Sequence, residues 1–312
     1  RKRLNGAVDE GLNLSSERIT VVMVTYNSES SITSALINLR HVKAIIVVDN
    51  ASIDHSVDKV SNVAPHAKII ANERNEGFGR AANRAFNKVV TEFALLVSPD
   101  CLVGDEVLEH LLMVADRWET AAMVSPALVD GDGTFTRCHD RDLFSREGLR
   151  RSRDDEPFPS GNLCAGFVQN AAVLVRMKAV KEVGFYDERI FLFYEDDDLC
   201  IRLRDRGWSL ILTPDVSATH LSGTSSSLSS RFLTRRRYYH MAWSRGYLEQ
   251  KYKGRTRGLA LGVIRLGVFF GKLIFATLFL NRWKMVRDSA RLLGTAGYLL
   301  GFSAYWSKEK NK

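Results

Sequence analysis

Four acidic residues in a row offer the side chains that acid–base chemistry needs: Glu195, Asp196, Asp197 and Asp198. The aromatic segment 191–194 precedes them directly. Acids at a helix N-terminus are stabilised by the helix dipole, so a capped surface helix is one interpretation. A carboxyl group beside apolar side chains tends to have a raised pKa and can act as a general base. The second interpretation predicts a catalytic site in this stretch.

The elements around the acids follow from local patterns. An amphipathic helical pattern comes after them and ends at Gly207, a residue that commonly terminates helices. Residues 208–213 predict a strand, and His220 lies just beyond it. Earlier in the chain, apolar and β-branched runs predict strands at 19–26, 44–48, 68–71 and 93–97. Because helical patterns alternate with these strands, we expect an α/β fold with a parallel sheet between helices.

Polar motifs stand where the predicted strands end. They are Thr25-Tyr26-Asn27, Asp49-Asn50, Asn75 to Arg80 and Ser98-Pro99-Asp100. In open parallel sheets, ligands bind beyond the carboxyl ends of the strands. Turn chemistry alone would explain any one of these motifs. Their joint position at one edge of one sheet predicts a binding site.

The charge balance indicates an anionic partner. The formal net charge is +8 and the pI is near 9.3, which fits nucleic acid, an anionic membrane or a diphosphate substrate. Basic residues are concentrated toward the C-terminus beside an apolar segment, and this favours the membrane. No nucleic-acid-binding motif accompanies them, so we expect no nucleic acid partner. The four cysteines show no CxxC spacing, which argues against zinc and predicts a reducing compartment.

The C-terminal region contains an apolar stretch, residues 259–280, that is long enough to span a bilayer. Arg265 and Lys272 interrupt it on one helix face, and each would cost about 2.5–3.5 kcal/mol at the bilayer centre. A helix lying in the plane of the membrane avoids this cost. Together with a second apolar stretch, 292–306, it predicts a helical hairpin on or in the cytoplasmic leaflet. The alternatives are a true span, packing on the rest of the protein, and a homo-oligomer interface.

These stretches together resemble glycosyltransferase family 2, inverting enzymes of the GT-A fold, over roughly residues 19–225. The matching motifs are VTYNS, VVDNAS, NxGFGxxxN, a strand-end xPD, and an acidic pattern. In the acidic pattern the matching residues are Gly184, Asp187, Glu188, Phe193, Tyr194, Glu195, Asp196, Asp198, Leu199, Arg202, Gly207 and Trp208. The similarity is greatest to the rhamnosyltransferase-like branch that builds bacterial surface polysaccharides. It implies a Rossmann-like, mostly parallel sheet flanked by helices.

The residue patterns and the resemblance together predict an order of domains. We expect residues 1–17 to be a flexible tail and residues 18–230 to form the GT-A catalytic domain. Within that domain, a nucleotide-sugar half extends to about residue 128 and an acceptor half follows from about 129. Residues 231–312 form a basic, amphipathic helical region that associates with the membrane.

The resemblance also implies a site for a nucleotide-sugar donor. Asp49 is expected to accept from a pyrimidine N–H, since a carboxylate is purely an acceptor. The other residues expected to line the donor are Thr25, Tyr26, Asn27, Asn75, Gly77, Arg80, Asn83, Ser98 and Asp100. Asp100 takes the last position of the cation-binding DxD motif of the family, with Mg²⁺ or Mn²⁺ as the cofactor. His220 matches a further metal ligand, and Ser98 in place of the first Asp predicts a weakened metal site.

For the chemical step, the resemblance selects Asp196 as the general base that deprotonates an acceptor hydroxyl. The four adjacent acids are too close together for the sequence alone to decide among them. Arg80 and the metal would neutralise charge on the leaving diphosphate. Residues expected to contact the acceptor are Asn170, Tyr194, Glu195 and Trp208. In the family a small residue usually stands where Asn170 falls, a departure that weakens the expected acceptor contact and bears on the choice of acceptor.

The expected function is transfer of a sugar from a nucleotide donor to a polyprenyl-diphosphate-linked glycan. The sugar that the resemblance favours is rhamnose, with dTDP-rhamnose as the donor. That reaction would belong to surface polysaccharide or O-antigen assembly at the cytoplasmic face of the bacterial inner membrane. A UDP-hexose is the alternative donor, since Asp49 would accept from uracil and thymine alike. The rival hypothesis is a membrane-peripheral scaffold of the same fold without turnover, for which Ser98 and Asn170 are the supporting departures.

Overall fold

The computed structural model describes residues 17–149, 156–221 and 230–306. The tail predicted at residues 1–17 lies outside them except for its last residue. Contacts divide the chain into two compact units that alternate along the sequence. In the described chain, the first unit comprises 17–75, 81–186 and 199–221, and the second comprises 76–80, 187–198 and 230–306. The division predicted between residues 230 and 231 stays a prediction.

The first unit is built on a ten-stranded sheet with the main order β3-β2-β1-β4-β11-β6-β12-β5. Strand β7 pairs with β6, β9 pairs with β12, and β8 and β10 form a separate two-stranded sheet. The strands are β1 (Ile19–Thr25), β2 (Ala44–Asp49), β3 (Lys68–Ala71), β4 (Phe93–Val97), β5 (Cys101–Leu102), β6 (Ala121–Val129), β7 (Phe135–Thr136), β8 (His139–Asp140), β9 (Leu163–Cys164), β10 (Phe167–Val168), β11 (Ala172–Arg176) and β12 (Ser209–His220).

Strands β1 to β4 run parallel, which confirms the predicted α/β arrangement. Strand β1 lies between β2 and β4, and β3 completes this part of the sheet beside β2. Thr25 is level with Asp49 at the carboxyl ends of β1 and β2. The strands β1 and β4 are apolar almost throughout because both of their faces are covered.

The sheet as a whole is mixed, which differs from the parallel sheet expected from the alternating pattern. Strand β11 runs antiparallel to both of its neighbours, β4 and β6, and β12 returns parallel to β6. A parallel strand pair needs a long crossover, usually through an α-helix. In the described part of 130–171, between β6 and β11, there is a 3₁₀ turn at Ser145–Gly148 and no α-helix. The antiparallel pairing of β11 thus goes with a connection that has no helical crossover in its described part.

Six α-helices lie in the described residues before position 230. They are α1 (Ile32–Ile37), α2 (Ser56–Val63), α3 (Phe78–Phe86), α4 (Asp105–Arg117), α5 (Met177–Glu182) and α6 (Glu195–Asp205). The first of them has only six residues. The apolar face of α4, which includes Leu108, Leu111 and Ala115, joins the buried core together with strand residues.

The second unit contains three long helices that pack on one another: α7 (Ser230–Lys253), α8 (Arg255–Leu278) and α9 (Arg282–Leu299). A 3₁₀ turn at Ala304–Trp306 follows them. Gly254, at φ 91°, allows the sharp turn from α7 to α8. Gly294 in α9 lies against the backbone carbonyl of Tyr239 in α7, leaving no space for a side chain. The helical hairpin predicted from the two apolar stretches thus forms between α8 and α9.

Helix α8 is long and apolar enough to cross a membrane by length and composition. Its charged residue Arg265 points toward α7, where Nη2 lies 3.6 Å from Oε1 of the buried Glu249. Between Leu259 and Leu278, all of which the structure describes, Lys272 is the one charged residue on the exposed face. The rest of that face is apolar, glycine or threonine, with large exposed side chains at Val263, Ile264, Val268, Phe270, Ile274, Phe275 and Leu278.

Candidate active site

Buried polar atoms without partners mark the carboxyl ends of β1 and β2. Asp49 is 4% exposed, and its Oδ2 accepts a hydrogen bond from the Ser52 N–H at 3.1 Å. Its Oδ1, like the Thr25 hydroxyl, is buried and meets no hydrogen-bonding partner within the described chain. An unsatisfied buried polar group costs about 1–3 kcal/mol, so such pairs are rare unless a ligand completes them. The geometry suits a ligand that presents an N–H group.

The turn after β2 is braced by Asn27. This residue has a left-handed backbone, φ 52°, and its Oδ1 accepts from the Ile53 N–H at 2.8 Å. Its own N–H donates to Ser52 Oγ at 2.9 Å. Asn27 is 2% exposed, so its side chain supports the turn that carries Asp49. Tyr26, beside it, is partly exposed.

Hydrogen bonds between asparagine side-chain amides link the ends of β2 and β3. Nδ2 of Asn72 donates to Oδ1 of Asn50 at 3.0 Å, and Nδ2 of Asn50 donates to Oδ1 of Asn75 at 3.1 Å. These bonds fix which way each amide faces, including that of the expected donor residue Asn75. The sequence analysis placed Asn50 in a strand-end motif but gave it no role at the donor, and it did not name Asn72. Their signal was the placement of an asparagine directly after each of two parallel strands.

The expected metal ligands lie together. His220 Nε2 is 3.4 Å from Oδ1 of Asp100, which is 3% exposed. The pairing of β5 with β12 places them there, since Cys101 is level with His220 and the Leu221 N–H donates to the Asp100 carbonyl. A carboxylate and an imidazole fit a divalent cation as two ligands. No cluster of three or more His, Cys, Asp or Glu side chains occurs in the described ranges. A cation here would therefore draw its other ligands from a diphosphate and water.

Asn170 lies just before β11, where the chain passes the loop that carries Ser98. The Ser98 N–H donates to the carbonyl of Ala171 at 2.8 Å, so the loop after β4 and the start of β11 are side by side. Asn170 is 7% exposed, and neither polar atom of its amide has a hydrogen-bonding partner in the described structure. Two unsatisfied atoms on one buried amide indicate a site for a polar ligand.

Two predicted site residues have structural roles instead. Both ends of the Asn83 amide bond the backbone of Tyr186, at 3.0 Å each, so Asn83 holds that segment in place. Trp208 directly precedes β12, and β12 starts level with the start of β6. Strand β6 runs antiparallel to β11, which runs antiparallel to β4, so β6 and β12 run in the same direction as β1. Trp208 is therefore at the sheet edge opposite Thr25, where its indole N–H donates to Glu182. Trp208 therefore lies outside the candidate site. The family motif predicts a tryptophan at this position but does not predict the edge of the sheet at which it lies.

In the second unit, the loop 76–80 contacts Phe191, which lies in the segment 187–198 that contains the four acids. Gly77 has φ 80°, and its Cα lies so close to the Phe191 carbonyl that a Cβ would clash. The next residue, Phe78, donates its N–H to the same carbonyl at 3.1 Å. Glycine is needed here both for the left-handed backbone and for the close approach.

Arg80 is held by two neighbours. Its Nε donates to the Glu188 carbonyl at 3.2 Å, and the Tyr305 ring centroid lies 3.9 Å from its guanidinium carbon. Burial raises the pKa of the Tyr305 hydroxyl well above its usual range. The sequence offered no sign of Tyr305, because it is 225 positions after Arg80 by residue number (305 minus 80).

The four acids differ sharply in exposure. Glu195, Asp197 and Asp198 are 8%, 3% and 0% exposed, whereas Asp196 is partly exposed. Asp196 Oδ1 accepts the Asp197 N–H at 2.9 Å. Burial, reinforced by the charge of Asp196, raises the pKa of Glu195 well above its ordinary value. Asp196 is thus the member of the group that a substrate can reach.

The turn before these acids is strained. Tyr194 and Phe193 have left-handed backbones, with φ 68° and φ 65°, and the Asp198 N–H bonds the Tyr194 carbonyl at 3.0 Å. Non-glycine residues in this region cost of order 1–3 kcal/mol each and occur where neighbouring contacts enforce them. Such strain is common at functional sites.

Residues 20–182 match the sequence profile of glycosyl transferase family 2. The chain is 24% identical over 231 residues to the N-acetylglucosaminyl-diphospho-decaprenol L-rhamnosyltransferase of Mycobacterium tuberculosis, covering 65% of this chain and 75% of that protein. It is 26% identical over 215 residues to the dTDP-rhamnosyl transferase RfbF of Shigella flexneri, covering 67% and 70% respectively. The mannosyltransferase PcManGT from Pyrobaculum calidifontis, solved with GDP-Man and Mn²⁺, superposes with a TM-score of 0.54 at 16% identity, covering 94% of this chain and 88% of that one.

Proposed function

Because this chain belongs to glycosyl transferase family 2 and is a glycosyltransferase, we propose that it transfers rhamnose from dTDP-rhamnose to a lipid-linked glycan with inversion. Two relatives support the donor, since both are named as rhamnosyltransferases. One of them is named for a diphospho-decaprenol acceptor, which supports a polyprenyl diphosphate carrier. The step would serve assembly of a bacterial surface polysaccharide such as O-antigen.

The observation that carries this proposal is the exposure of Asp196 among three buried acids. Asp196 would take the proton of an acceptor hydroxyl, whose oxygen then attacks the anomeric carbon as the nucleoside diphosphate leaves. The raised pKa of Glu195 favours its neutral form, so the ionised base is assigned to Asp196 on its exposure. Tyr194 and Glu195, next to the base, and the buried Asn170 would contact the acceptor.

On the donor side, Asp49 Oδ1 would accept the ring N–H of the pyrimidine, which satisfies its missing hydrogen bond. Thr25 and Tyr26 would flank the nucleoside, and Asn75 would bond the nucleotide through its fixed amide. Arg80 would offset the charge on the leaving diphosphate. Thymine and uracil present the same N–H, so a UDP-hexose remains the alternative donor.

Asp100 and His220 would hold one divalent cation, Mg²⁺ or Mn²⁺. When bound, the cation would add positive charge beside the donor diphosphate. The 3.4 Å separation of the two side chains supports this pairing. Ser98, in place of an acid, leaves the site with fewer ligands from the protein.

We further propose that the protein is peripheral to the cytoplasmic face of the bacterial inner membrane. The exposed apolar face of α8 would enter the lipid, and nearby Arg282 and Lys284, both exposed, would contact anionic headgroups. Arg265 is directed to Glu249, so it does not have to enter the hydrocarbon.

A donor panel tests the function. Purified protein would be given dTDP-rhamnose, UDP-glucose, UDP-galactose, UDP-GlcNAc or GDP-mannose, with Mn²⁺, Mg²⁺ or EDTA. We expect dTDP-rhamnose to be hydrolysed slowly and transferred to N-acetylglucosaminyl diphosphate on a short polyprenol, both only with metal. Asp196→Asn should bind donor normally but lose transfer by at least about 100-fold, the usual contribution of a general base. Asp205→Asn, an exposed acid at the other end of α6, is the matched control.

The outcomes separate the hypotheses. Turnover of a UDP-hexose alone would replace rhamnose as the donor sugar. No binding or turnover of any donor would favour the scaffold hypothesis. Full transfer by Asp196→Asn would remove Asp196 from the mechanism.

A further inference from the structure

A single ammonium group joins the two ends of the acidic segment 187–198. Lys251, near the end of α7, donates to Asp187 Oδ2 at 2.7 Å and to Asp198 Oδ1 at 2.6 Å. The Asp198 side chain is 0% exposed and that of Asp187 is 10% exposed. Both carboxylates are therefore largely shielded from water, and Lys251 is the cation that they share; Asp187 Oδ1 also lies 3.4 Å from Arg189 Nε.

Two phenols complete the arrangement. Tyr247 donates to Asp187 Oδ2 at 2.6 Å, and Tyr252 donates to Asp198 Oδ1 at 2.7 Å. Burial opposes ionisation of Asp187, but the bonds from Lys251 and Tyr247 outweigh it and lower its pKa below the usual range. Three side chains of one helix thus hold two carboxylates that are eleven positions apart (198 minus 187).

The middle of the segment is held by the same helix. The Ser244 hydroxyl donates to the Leu192 carbonyl at 3.2 Å, and the His240 ring stacks on Phe191 with centroids 4.5 Å apart. Burial lowers the pKa of His240 to about 3, so the stacked ring is neutral near pH 7. Helix α7 therefore contacts the segment at both ends and in between.

The segment needs such support because its backbone is strained immediately before Asp196, at Phe193 and Tyr194. A left-handed backbone at these residues persists only when the surrounding contacts enforce it. Asp198 is the nearest of the clamped residues to Asp196, two positions along the same helical turn. A shift of Asp198 would therefore move Asp196 directly.

We propose that Lys251 is a positioning residue for glycosyl transfer: by clamping Asp187 to Asp198, it fixes the Asp196 carboxylate in its reactive orientation. The proposal rests on the proposed role of Asp196 as the base. Lysine suits the task because its compact ammonium has three donors and can serve two carboxylates at once. It follows that the C-terminal helices are part of the catalytic apparatus in addition to any membrane role.

The test compares Lys251→Met with Lys253→Met, an exposed lysine two positions further on in α7. We expect Lys251→Met to lower kcat for transfer by about 10- to 100-fold, as small misplacements of reacting groups do. The affinity for dTDP-rhamnose, measured by calorimetric titration, should stay within about twofold because the donor contacts are unchanged. Lys253→Met should match the wild type in both quantities.

Loss of Lys251 leaves Asp198 buried without its cation, which can unfold the protein. The double variant Lys251→Met/Asp198→Asn removes that charge and is expected to fold, as judged by circular dichroism and Tm. If it folds, it should still show the lowered kcat with unchanged donor affinity, since the neutral pair no longer clamps the segment. Lys251→Arg should recover part of kcat, because its guanidinium can reach both carboxylates.

A folded Lys251→Met or double variant with wild-type kcat would overturn the proposal. So would failure of both variants to fold, since Lys251 would then serve folding alone. Failure of the proposed function is recognised separately: there, Asp196→Asn would retain transfer whatever the Lys251 variants do.

Discussion

The guanidinium carbon of Arg80 lies over the aromatic ring of Tyr305, 3.9 Å from the ring centroid. The Tyr305 hydroxyl also donates to the Glu188 carbonyl at 2.9 Å, and Arg80 Nε donates to that same oxygen. The residue proposed to face the leaving diphosphate is therefore held in place by the last described turn of the chain.

Tyr305→Ala is expected to weaken binding of dTDP-rhamnose by roughly 2- to 30-fold, because a cation–π contact contributes about 0.5–2 kcal/mol. Fluorescence or calorimetric titration measures it. Tyr305→Phe keeps the ring and serves as the matched control, so it should bind donor almost normally. Equal losses in both variants would mean that the hydroxyl, and not the stacked ring, holds Arg80.

Asp49→Ala is expected to raise the KM for the pyrimidine donor by roughly 10- to 100-fold, since a hydrogen bond to a charged group contributes about 1.5–3 kcal/mol. The exposed Asp58→Asn on α2 is the control. An unchanged KM in Asp49→Ala would show that the unsatisfied Oδ1 does not contact the donor.

The two expected metal ligands, Asp100 and His220, are predicted to affect the metal dependence of donor hydrolysis to different degrees. Asp100→Ala should increase the Mn²⁺ concentration needed for half-maximal donor hydrolysis more than His220→Ala, because a carboxylate is the harder and charged ligand. Direct Mn²⁺ binding followed by electron paramagnetic resonance gives a second reading. His66→Ala, an exposed histidine, should leave both unchanged. Normal Mn²⁺ binding in Asp100→Ala would disprove the assignment.

Glu195 predicts a pH-dependent stability. Its pKa is raised in the folded state, so the folded protein binds more protons than the unfolded chain above pH 4.5, and stability falls as pH rises from there toward the raised value. Glu195→Gln removes this loss. Its Tm should therefore exceed that of the wild type at pH 8 by more than at pH 4. Exposed Glu109→Gln is the control, and a Tm difference independent of pH would contradict the prediction.

The apolar face of α8 predicts membrane binding that a single charge can weaken. Phe275→Glu should reduce flotation with vesicles of phosphatidylglycerol and phosphatidylethanolamine several-fold, as each carboxylate costs about 2.5–3.5 kcal/mol in the hydrocarbon. Met113→Glu changes a side chain of nearly equal exposure, 57% against 58%, on α4. Equal flotation of the two variants would rule out α8 as the contact.

The sequence predicted the parallel part of the sheet because strands such as Ile19–Thr25 are buried on both faces. Their sequences are therefore almost continuously apolar, a pattern that is visible within the strand itself. It could not predict that β11 runs antiparallel, since strand direction depends on how the connection crosses the sheet. The edge at which Trp208 lies depends on the same topology. Element type is a local property, whereas direction and placement are not.

For the site, residue type and spacing identified Asp49, Asp100 and the four acids. The choice of Asp196 needed the family resemblance, and exposure now provides an independent reason for it. Lys251 and Tyr305 escaped detection because they reach their partners across 64 and 117 positions of chain. No short motif records contacts of that range.

Lys251 is synthesised after the two carboxylates that it binds, Asp187 and Asp198. This order has a consequence for when the protein becomes active. Asp187 is translated 64 positions before Lys251, a delay of roughly 3–13 s at the usual 5–20 residues per second. Glu188 then waits for Tyr305, which comes 117 positions after it. A nascent chain therefore lacks the bonds from Lys251 and Tyr305 to this segment until the C-terminal helices have emerged. Donor turnover is therefore expected only after residue 305 has been added and folded, and chains stalled before Lys251 are expected to be inactive.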